Sequence, residues 1–172
     1  MTALGVVLLS CRQLPVRNRH FSTATLDERW LAALNQLRNE INALYGYRDG
    51  APRINLGPCG PFAKAFREEW NDRFRHQTHI AFVMSPDGSF CHHVLIRLPD
   101  GSLFDGGNGV ISERALLMVY PGSRIDDMID YDLKLLDHWS YGLSRQFPLC
   151  PNYSEARTKQ LIHNCLESLP NF

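Results

Sequence analysis

The order of the elements predicted from the sequence indicates an α+β fold. Two amphipathic helical stretches come first, two β-hairpin patterns follow in succession, and further helical stretches end the chain. Strands joined by tight turns form antiparallel sheets, and helices that are segregated along the chain cover such a sheet. A chain of 172 residues is long enough for one domain with a core of its own. We therefore expect a single α+β domain over residues 25–172.

Residues 1–24 are set apart from that domain by their composition. They contain three arginines and no acidic residue, and they end in Arg19-His20-Phe21-Ser22-Thr23. This pattern is typical of a mitochondrial targeting segment. Leu8-Leu9-Ser10-Cys11 is similar to a bacterial lipoprotein box instead, although no basic residue precedes it. The third interpretation is a flexible or misassigned start without a targeting role. The expected location is the cytoplasm, and a targeting segment remains the alternative.

Charge and cysteine spacing exclude several classes of protein. Eighteen basic residues balance eighteen acidic ones, so no electrostatic attraction for nucleic acid is expected. No apolar run approaches the length that spans a membrane. The five cysteines are irregularly spaced and form no Cys-x-x-Cys pair, which disfavours a structural zinc site and a complete disulfide framework. We expect reduced thiols, no metal and no cofactor.

The first predicted helix covers about residues 26–45. Thr25 and Glu28 have the spacing of a capping box, and Gly46 is suited to end the helix. Apolar residues recur at steps of three and four, which predicts a buried stripe: Trp30, Leu34, Leu37, Ile41 and Leu44.

The second predicted helix begins beside a cysteine. Residues 57–66 place Cys59 between glycines and prolines, and Pro61 suits the first turn of a helix that runs to about residue 75. Residues at four-residue steps give this helix a buried face: Phe62, Phe66 and Trp70. A thiol at a helix start faces unpaired N–H groups and the positive end of the helix dipole, which favours the thiolate. Cys59 is therefore the candidate nucleophile.

Strands and further helices follow. The predicted strands cover residues 79–84, 90–98 and 103–105, with turns at 85–88 and 99–102 and a break at 106–109. Ser112 and Ser154 are predicted to cap helices that run to about residues 118 and 166, and residues 125–139 are predicted to form an acid-rich helix.

The second strand supplies the candidate base. A thiolate needs an imidazole to accept its proton, and the imidazole needs a polar group to orient it. Neighbouring residues on a strand point to opposite faces, so only one of His92 and His93 can lie in a site there. His93 shares the more mixed face with Cys91, which favours His93, and His92 remains the alternative. Asp105 lies across the next hairpin and is expected to orient the imidazole. The loop before the second helix brings Asn55 close to Cys59, where its amide is a candidate donor to the oxyanion.

These residues resemble a known family. The order of Cys59, His93 and Asp105, with residues 59–63 as the nucleophile helix and 93–105 as the histidine strand, hairpin and acid strand, is similar to papain-like cysteine hydrolases. The similarity is greatest to the branch with transglutaminase-like and arylamine N-acetyltransferase-like proteins, and it covers about residues 55–110. The resemblance implies a papain-like fold, Cys59 as nucleophile, His93 as general base and acid, and Asp105 as the orienting residue. The family often has a glutamine donor upstream of the cysteine, and this chain has none there.

The expected activity is thiol-dependent hydrolysis of peptide or amide bonds through a thioester on Cys59. The substrate is then a peptide, a protein or a small amide. The same residues allow acyl transfer to an amine, as in transglutaminases. A binding module without enzymatic activity on the same fold is the remaining alternative.

Overall fold

The computed structural model describes residues 26–127 and 147–169. Helices and strands are largely segregated along the chain, as is typical of an α+β fold. The helices in these ranges are α1 (Glu28–Tyr45), α2 (Cys59–Arg73), α3 (Glu113–Val119) and α4 (Glu155–Glu167), and a short 3-10 helix covers Arg53–Asn55. The strands are β1 (Tyr47–Arg48), β2 (Ala51–Pro52), β3 (His79–Met84), β4 (Cys91–Arg97), β5 (Leu103–Asp105), β6 (Gly109–Ile111) and β7 (Arg124–Asp126).

The strands form two antiparallel sheets. β1 and β2 make a small hairpin, and the other five strands form one sheet in the order β6-β5-β4-β3-β7. The two successive hairpins predicted from the turn residues are confirmed as β3-β4 and β4-β5. The break predicted at residues 106–109 is a turn that leads into β6, which pairs with β5. The predicted α+β class is therefore confirmed.

Helix α1 is held by its cap and by its apolar stripe. The cap is Asp27, whose carboxylate accepts hydrogen bonds from the backbone of Arg29 and Trp30 at 2.9 and 3.1 Å. The predicted capping residue, Thr25, lies outside the described residues. Gly46 ends the helix with a φ of 75°, as expected. The members of the predicted stripe that are buried are Trp30, Leu34, Leu37 and Ile41.

Helix α2 begins at Cys59, two residues before the predicted start. Pro61 is then the third residue of the helix, where its missing N–H still costs no hydrogen bond. The helix ends at Arg73, because Phe74 has an extended backbone. Its buried aromatic face packs against α1 and the sheet, with ring centroids 5.1 Å apart for Trp30–Trp70 and 5.0 Å apart for Phe66–Phe104. These contacts fix the start of α2 against the sheet.

The two faces of the large sheet have different partners. One face packs against α1, α2 and α4 and contains Ile80, Phe82, Met84, Val94, Ile96 and Phe104. The other face carries a smaller apolar cluster with α3 and contains Ala81, Val83, Leu95, Leu103 and Leu116. The register of β3 with β4 shifts at Val83 and Met84, so that His93 pairs with Val83 while Cys91 pairs with Met84.

This register shift leaves His92 as the extra residue of a β-bulge. Residues paired across antiparallel strands share a face, so Cys91 lies on the face of Met84 and His93 on that of Val83. The interpretation that Cys91 and His93 share a face is therefore wrong. It assumed a regular strand, and the bulge inserts one residue between them.

The C-terminal half confirms two predicted helices and corrects a third. Ser112 and Ser154 cap α3 and α4 through their side-chain oxygens, as predicted. The helix predicted over residues 125–139 is wrong at its start, where Arg124–Asp126 form β7 and pair with β3. The rest of that range, from residue 128, lies outside the described residues. In the part of the chain that the structure describes, no helix has the length and apolar composition to cross a membrane.

Candidate active site

Cys59 lies at the first position of α2, directly after a tight turn. Gly57 in that turn has a φ of 127°, a conformation that residues with a side chain rarely adopt. Cys59 is half-buried, and its Sγ lies 3.9 Å from the carbonyl oxygen of Gly57. The backbone N–H groups of Gly60 and Val94 stabilise a negative charge on the sulfur. The sequence prediction of a thiol at a helix start is therefore met in the structure.

His93 and His92 lie in opposite environments on β4. His93 is 2% exposed, whereas His92 is exposed at the bulge. The Nε2 of His93 lies 3.1 Å from Oδ2 of Asp105. Its Nδ1 is buried and makes no hydrogen bond of regular geometry with the described residues. Nε2 of the ring is thus fixed by the carboxylate of Asp105, and Nδ1 is available to interact with the thiol of Cys59.

Asp105 ends β5 and is 1% exposed. Its Oδ1 accepts hydrogen bonds from the backbone N–H groups of Gly107 and Asn108, at 2.8 and 2.6 Å. The Asn108 amide also donates to Oδ2 at 3.0 Å. A carboxylate that accepts this many hydrogen bonds is stable as an anion in a buried position. It therefore holds the imidazole of His93 in one orientation, with a proton on Nε2 directed at the carboxylate.

Asn55 approaches the site from the 3-10 helix before α2. Its Nδ2 donates to Oδ1 of Asp105 at 3.1 Å, whereas its Oδ1 is buried without a hydrogen bond to the described residues. The sequence placed Asn55 near Cys59 as an oxyanion donor. The structure brings its amide onto the carboxylate of Asp105, so its observed contact is with the group that holds the imidazole of His93.

Electrostatics couples the three residues. Burial by itself would raise the pKa of Cys59, but the neighbouring imidazole of His93 lowers it below the usual value through hydrogen bonding and charge. Burial likewise opposes the imidazolium, yet Asp105 and Cys59 together raise the pKa of His93 to about 10. Burial also opposes the charge of Asp105, but His93 and Asn108 lower its pKa to about 2. These shifts all favour a thiolate beside an imidazolium that is held by a carboxylate.

Two residues at the site, Asn108 and Tyr120, are not among those predicted from the sequence. Asn108 holds both oxygens of Asp105, and its place three residues after an aspartate in a glycine-rich turn is the only local sign of that role. Tyr120 follows α3, and its ring lies 6.1 Å from that of His93 at an interplanar angle of 19°. Burial and the charges of Cys59 and Asp105 raise the pKa of Tyr120. This tyrosine covers the base from the side of the second apolar cluster, which only the tertiary structure reveals.

Among residues 26–127 and 147–169, no group of three or more histidine, cysteine and acidic side chains is arranged to hold a metal ion. The arrangement that is present is a thiol, an imidazole and a carboxylate in series. Such a series can make a sulfur nucleophilic and can return a proton to a leaving group.

Comparisons with protein-family models, with curated proteins and with solved structures give no significant match for this chain.

Proposed function

We propose that the protein is a thiol-dependent hydrolase with a papain-like fold, closest to the transglutaminase-like branch, and that it acts on peptide or amide bonds. The observation that carries this proposal is the buried His93, whose Nε2 is held by Asp105 and whose imidazole lowers the pKa of the Cys59 thiol. A core histidine without a catalytic role has no need of a buried carboxylate on one nitrogen and an activated thiol beside the other.

The proposed reaction has two half-steps. The Cys59 thiolate attacks the substrate carbonyl, and the N–H groups at the start of α2 stabilise the oxyanion that forms. The C–N bond then breaks as the imidazolium of His93 gives its proton to the leaving amine, which leaves a thioester on Cys59. His93 next takes a proton from water, which attacks the thioester, releases the acid and regenerates the thiolate. Peptides, proteins and small amides all contain the bond that this chemistry cleaves.

Acyl transfer uses the same residues and differs only in the second half-step. An amine that reaches the thioester before water gives a new amide instead of an acid. The half-buried position of Cys59 limits the access of water, which is the observation that favours this second candidate. The ratio of amide to acid formed from one acyl donor at increasing amine concentration distinguishes transfer from hydrolysis.

A binding module without catalysis is the third candidate. It is favoured by the fact that no hydrogen bond of regular geometry joins Nδ1 of His93 to a described residue. Catalytic hydrogen bonds are often long in enzymes without substrate, and the lowered pKa of Cys59 supports an enzyme over this module. Accumulation of a thioester with a generic acyl donor distinguishes an enzyme from this module.

The test of the proposal is the pH dependence of Cys59 alkylation by iodoacetamide, measured by peptide mass spectrometry. Cys91, Cys150 and Cys165 in the same protein serve as internal controls, since burial raises the pKa of each. We expect Cys59 alone to react well below pH ~8.5, the pKa of an ordinary thiol. If Cys59 reacts only at the pH of an ordinary thiol, the site is not activated and the binding module becomes the better hypothesis.

The role of Asn55 has a separate test, because two roles are open to it. If Asn55 orients Asp105, Asn55→Ala shifts the pH profile of Cys59 alkylation to higher pH. If it is an oxyanion donor, the same variant lowers kcat about a hundredfold or more and leaves the alkylation profile unchanged. The observed contact with Asp105 predicts the shift of the profile.

A further inference from the structure

Three aromatic rings connect the protein surface to the base of the site. Phe90 is 55% exposed, and its ring meets the exposed His92 edge-on at 5.1 Å. His92 stacks on Tyr120 at 5.8 Å, and Tyr120 stacks on His93 at 6.1 Å. We call Phe90, His92 and Tyr120 the aromatic row. It begins in solvent and ends on the imidazole that is proposed to act as the base.

The backbone holds the aromatic row in place before any ligand binds. His92 is the extra residue of the bulge in β4, so its side chain is directed by the bulge and not by the regular alternation of the strand. The backbone N–H of Tyr120 donates to Leu116 at 3.2 Å, and its carbonyl accepts from Ser123 at 3.1 Å. Its ring also packs against the second apolar cluster. A surface that is ordered in advance binds a partner at a low cost in conformational entropy.

Exposed apolar side chains also occur directly before Tyr120 in the chain. Four large hydrophobic side chains are exposed in the residues that the structure describes. Phe90 belongs to the aromatic row, and Met118 and Val119, which are 75% and 65% exposed, directly precede Tyr120. The fourth, Tyr47, lies in the separate β1-β2 hairpin. Met118 and Val119 thus add exposed apolar surface on the chain next to Tyr120.

We propose that the aromatic row binds an aromatic side chain of the acyl part of the substrate, on the residue whose carbonyl is attacked by Cys59. This inference rests on the proposed thiol chemistry and adds the substrate class to it. A ring beside the scissile carbonyl reaches Tyr120 because Tyr120 lies against His93, which the reacting carbonyl must approach. Ring stacking then favours an aromatic over an aliphatic side chain.

The test compares three chloromethyl ketones on the full chain: N-acetyl-phenylalanine, N-acetyl-leucine and N-acetyl-glycine chloromethyl ketone. In each case the Cys59 thiolate displaces chloride and forms a C–S bond, so the rates are read as Cys59 adducts by mass spectrometry. The ratio of two of these rates cancels the reactivity of the thiol itself. We expect the phenylalanine reagent to react about threefold to about tenfold faster than the leucine reagent, the range that aromatic pairing provides. Equal rates for phenylalanine and leucine overturn the inference.

Variants show which residues produce the preference for the phenylalanine reagent. Phe90→Ala and His92→Ala change exposed side chains, and each is expected to reduce the phenylalanine-to-leucine ratio. Tyr120→Phe keeps the ring and is expected to keep the ratio, whereas Tyr120→Ala abolishes it. Tyr47→Ala is the matched control, because it removes an equally exposed aromatic ring from the other sheet, and its ratio must equal that of the wild type. A ratio that is unchanged in all the variants of the aromatic row also overturns the inference.

The outcome is separable from that of the proposed function. Iodoacetamide carries no side chain, so its pH profile on Cys59 reports thiol activation alone. An activated Cys59 with equal chloromethyl ketone rates refutes the aromatic row and leaves the thiol chemistry standing. Conversely, a phenylalanine preference measured at a pH where any thiol ionises supports the aromatic row even if iodoacetamide shows no activation.

Discussion

Cys59 and Cys165 are both half-buried free thiols on helices, and their surroundings make them chemical opposites. Cys59 is the first residue of α2, whereas Cys165 is the third residue from the end of α4. The Sγ of Cys165 donates to the carbonyl of Ala33 at 3.4 Å, and burial together with Glu40 raises its pKa to about 12. Cys59 is also penalised by burial, and yet its pKa is lowered.

The difference in pKa comes from the sign of the charges and partial charges that surround each sulfur. Cys165 faces a carbonyl oxygen and a carboxylate near the negative end of a helix, all of which disfavour a thiolate. Cys59 faces N–H groups and an imidazolium at the positive end of a helix. Burial strengthens both effects because it removes the screening by water. Partial burial thus helps to keep the thiol of Cys165 protonated, and it strengthens the interactions that favour the thiolate of Cys59.

The largest expected effect is the removal of the imidazole. In His93→Ala, Cys59 keeps its burial and loses its positive partner, so the pKa of its thiol rises towards that of Cys165. We expect turnover to fall at least about a hundredfold, the usual contribution of a general base. Alkylation profiles of Cys59 and Cys165 in the same sample measure the change. His92→Ala is the matched control and should retain most of the turnover of an acyl donor without an aromatic side chain, which does not use the aromatic row. The reverse result would assign the base to His92.

The next effect concerns Asp105 and acid stability. Because folding lowers the pKa of Asp105 from 3.8 to about 2, the unfolded chain takes up this proton first as the pH falls. The corresponding stability is fully present above pH ~4 and is lost between pH ~4 and ~2, and it amounts to about 2 kcal/mol. Urea unfolding of wild type and Asp105→Asn at pH 5 and pH 2 should show a difference in unfolding free energy that shrinks by this amount. An identical pH dependence for both proteins contradicts the prediction.

A smaller effect is expected from Gly107→Ala. A Cβ at this position would lie 2.6 Å from Nδ2 of Asn55 and 2.6 Å from Cβ of Pro52, so both must move. We expect a loss of about 1 kcal/mol in unfolding free energy and a shift of Cys59 alkylation to higher pH. Gly101→Ala is the control, since a Cβ there meets nothing within 4 Å. It destabilises through its φ of 86° alone and should leave the Cys59 profile unchanged.

The smallest effect is expected from Cys165→Ala. The substitution removes one weak sulfur hydrogen bond to Ala33 from a half-buried position. The unfolding free energy should change by about 0.5 kcal/mol or less, and the Cys59 profile should stay as in the wild type. A shift of the Cys59 profile in this variant would mean that the two thiols are coupled through α2 and α4. That result would contradict the explanation that the local surroundings of each sulfur set its pKa.

The sequence predicts those parts of this fold that are set by local chemistry. Turn residues locate the hairpins, Ser112 and Ser154 mark two helix starts, and the prolines around Cys59 place a thiol at the start of α2. Each of these features depends on a few neighbouring residues. The α+β class follows from their order, and the positions of His93 and Asp105 on adjacent strands follow from the hairpin between them.

The parts that escaped prediction depend on contacts between distant segments. The bulge at His92 arises from the register of β4 on β3 and has no local signal, so Cys91 was assigned to the wrong face. β7 was predicted as helix because its three residues become a strand only by pairing with β3. The contact of Asn55 with Asp105 joins residues fifty positions apart, and no spacing rule predicts it.

The turn after β5 gives the site a built-in spectroscopic reporter. The carboxylate of Asp105 closes this turn by accepting the amide protons of Gly107 and Asn108. Those two amides therefore sense the charge of the acid without being part of the chemistry. In a ¹⁵N-resolved NMR titration their resonances would move together with the protonation of Asp105. Slow amide-proton exchange at the same two positions would report how long their hydrogen bonds to Asp105 persist between openings.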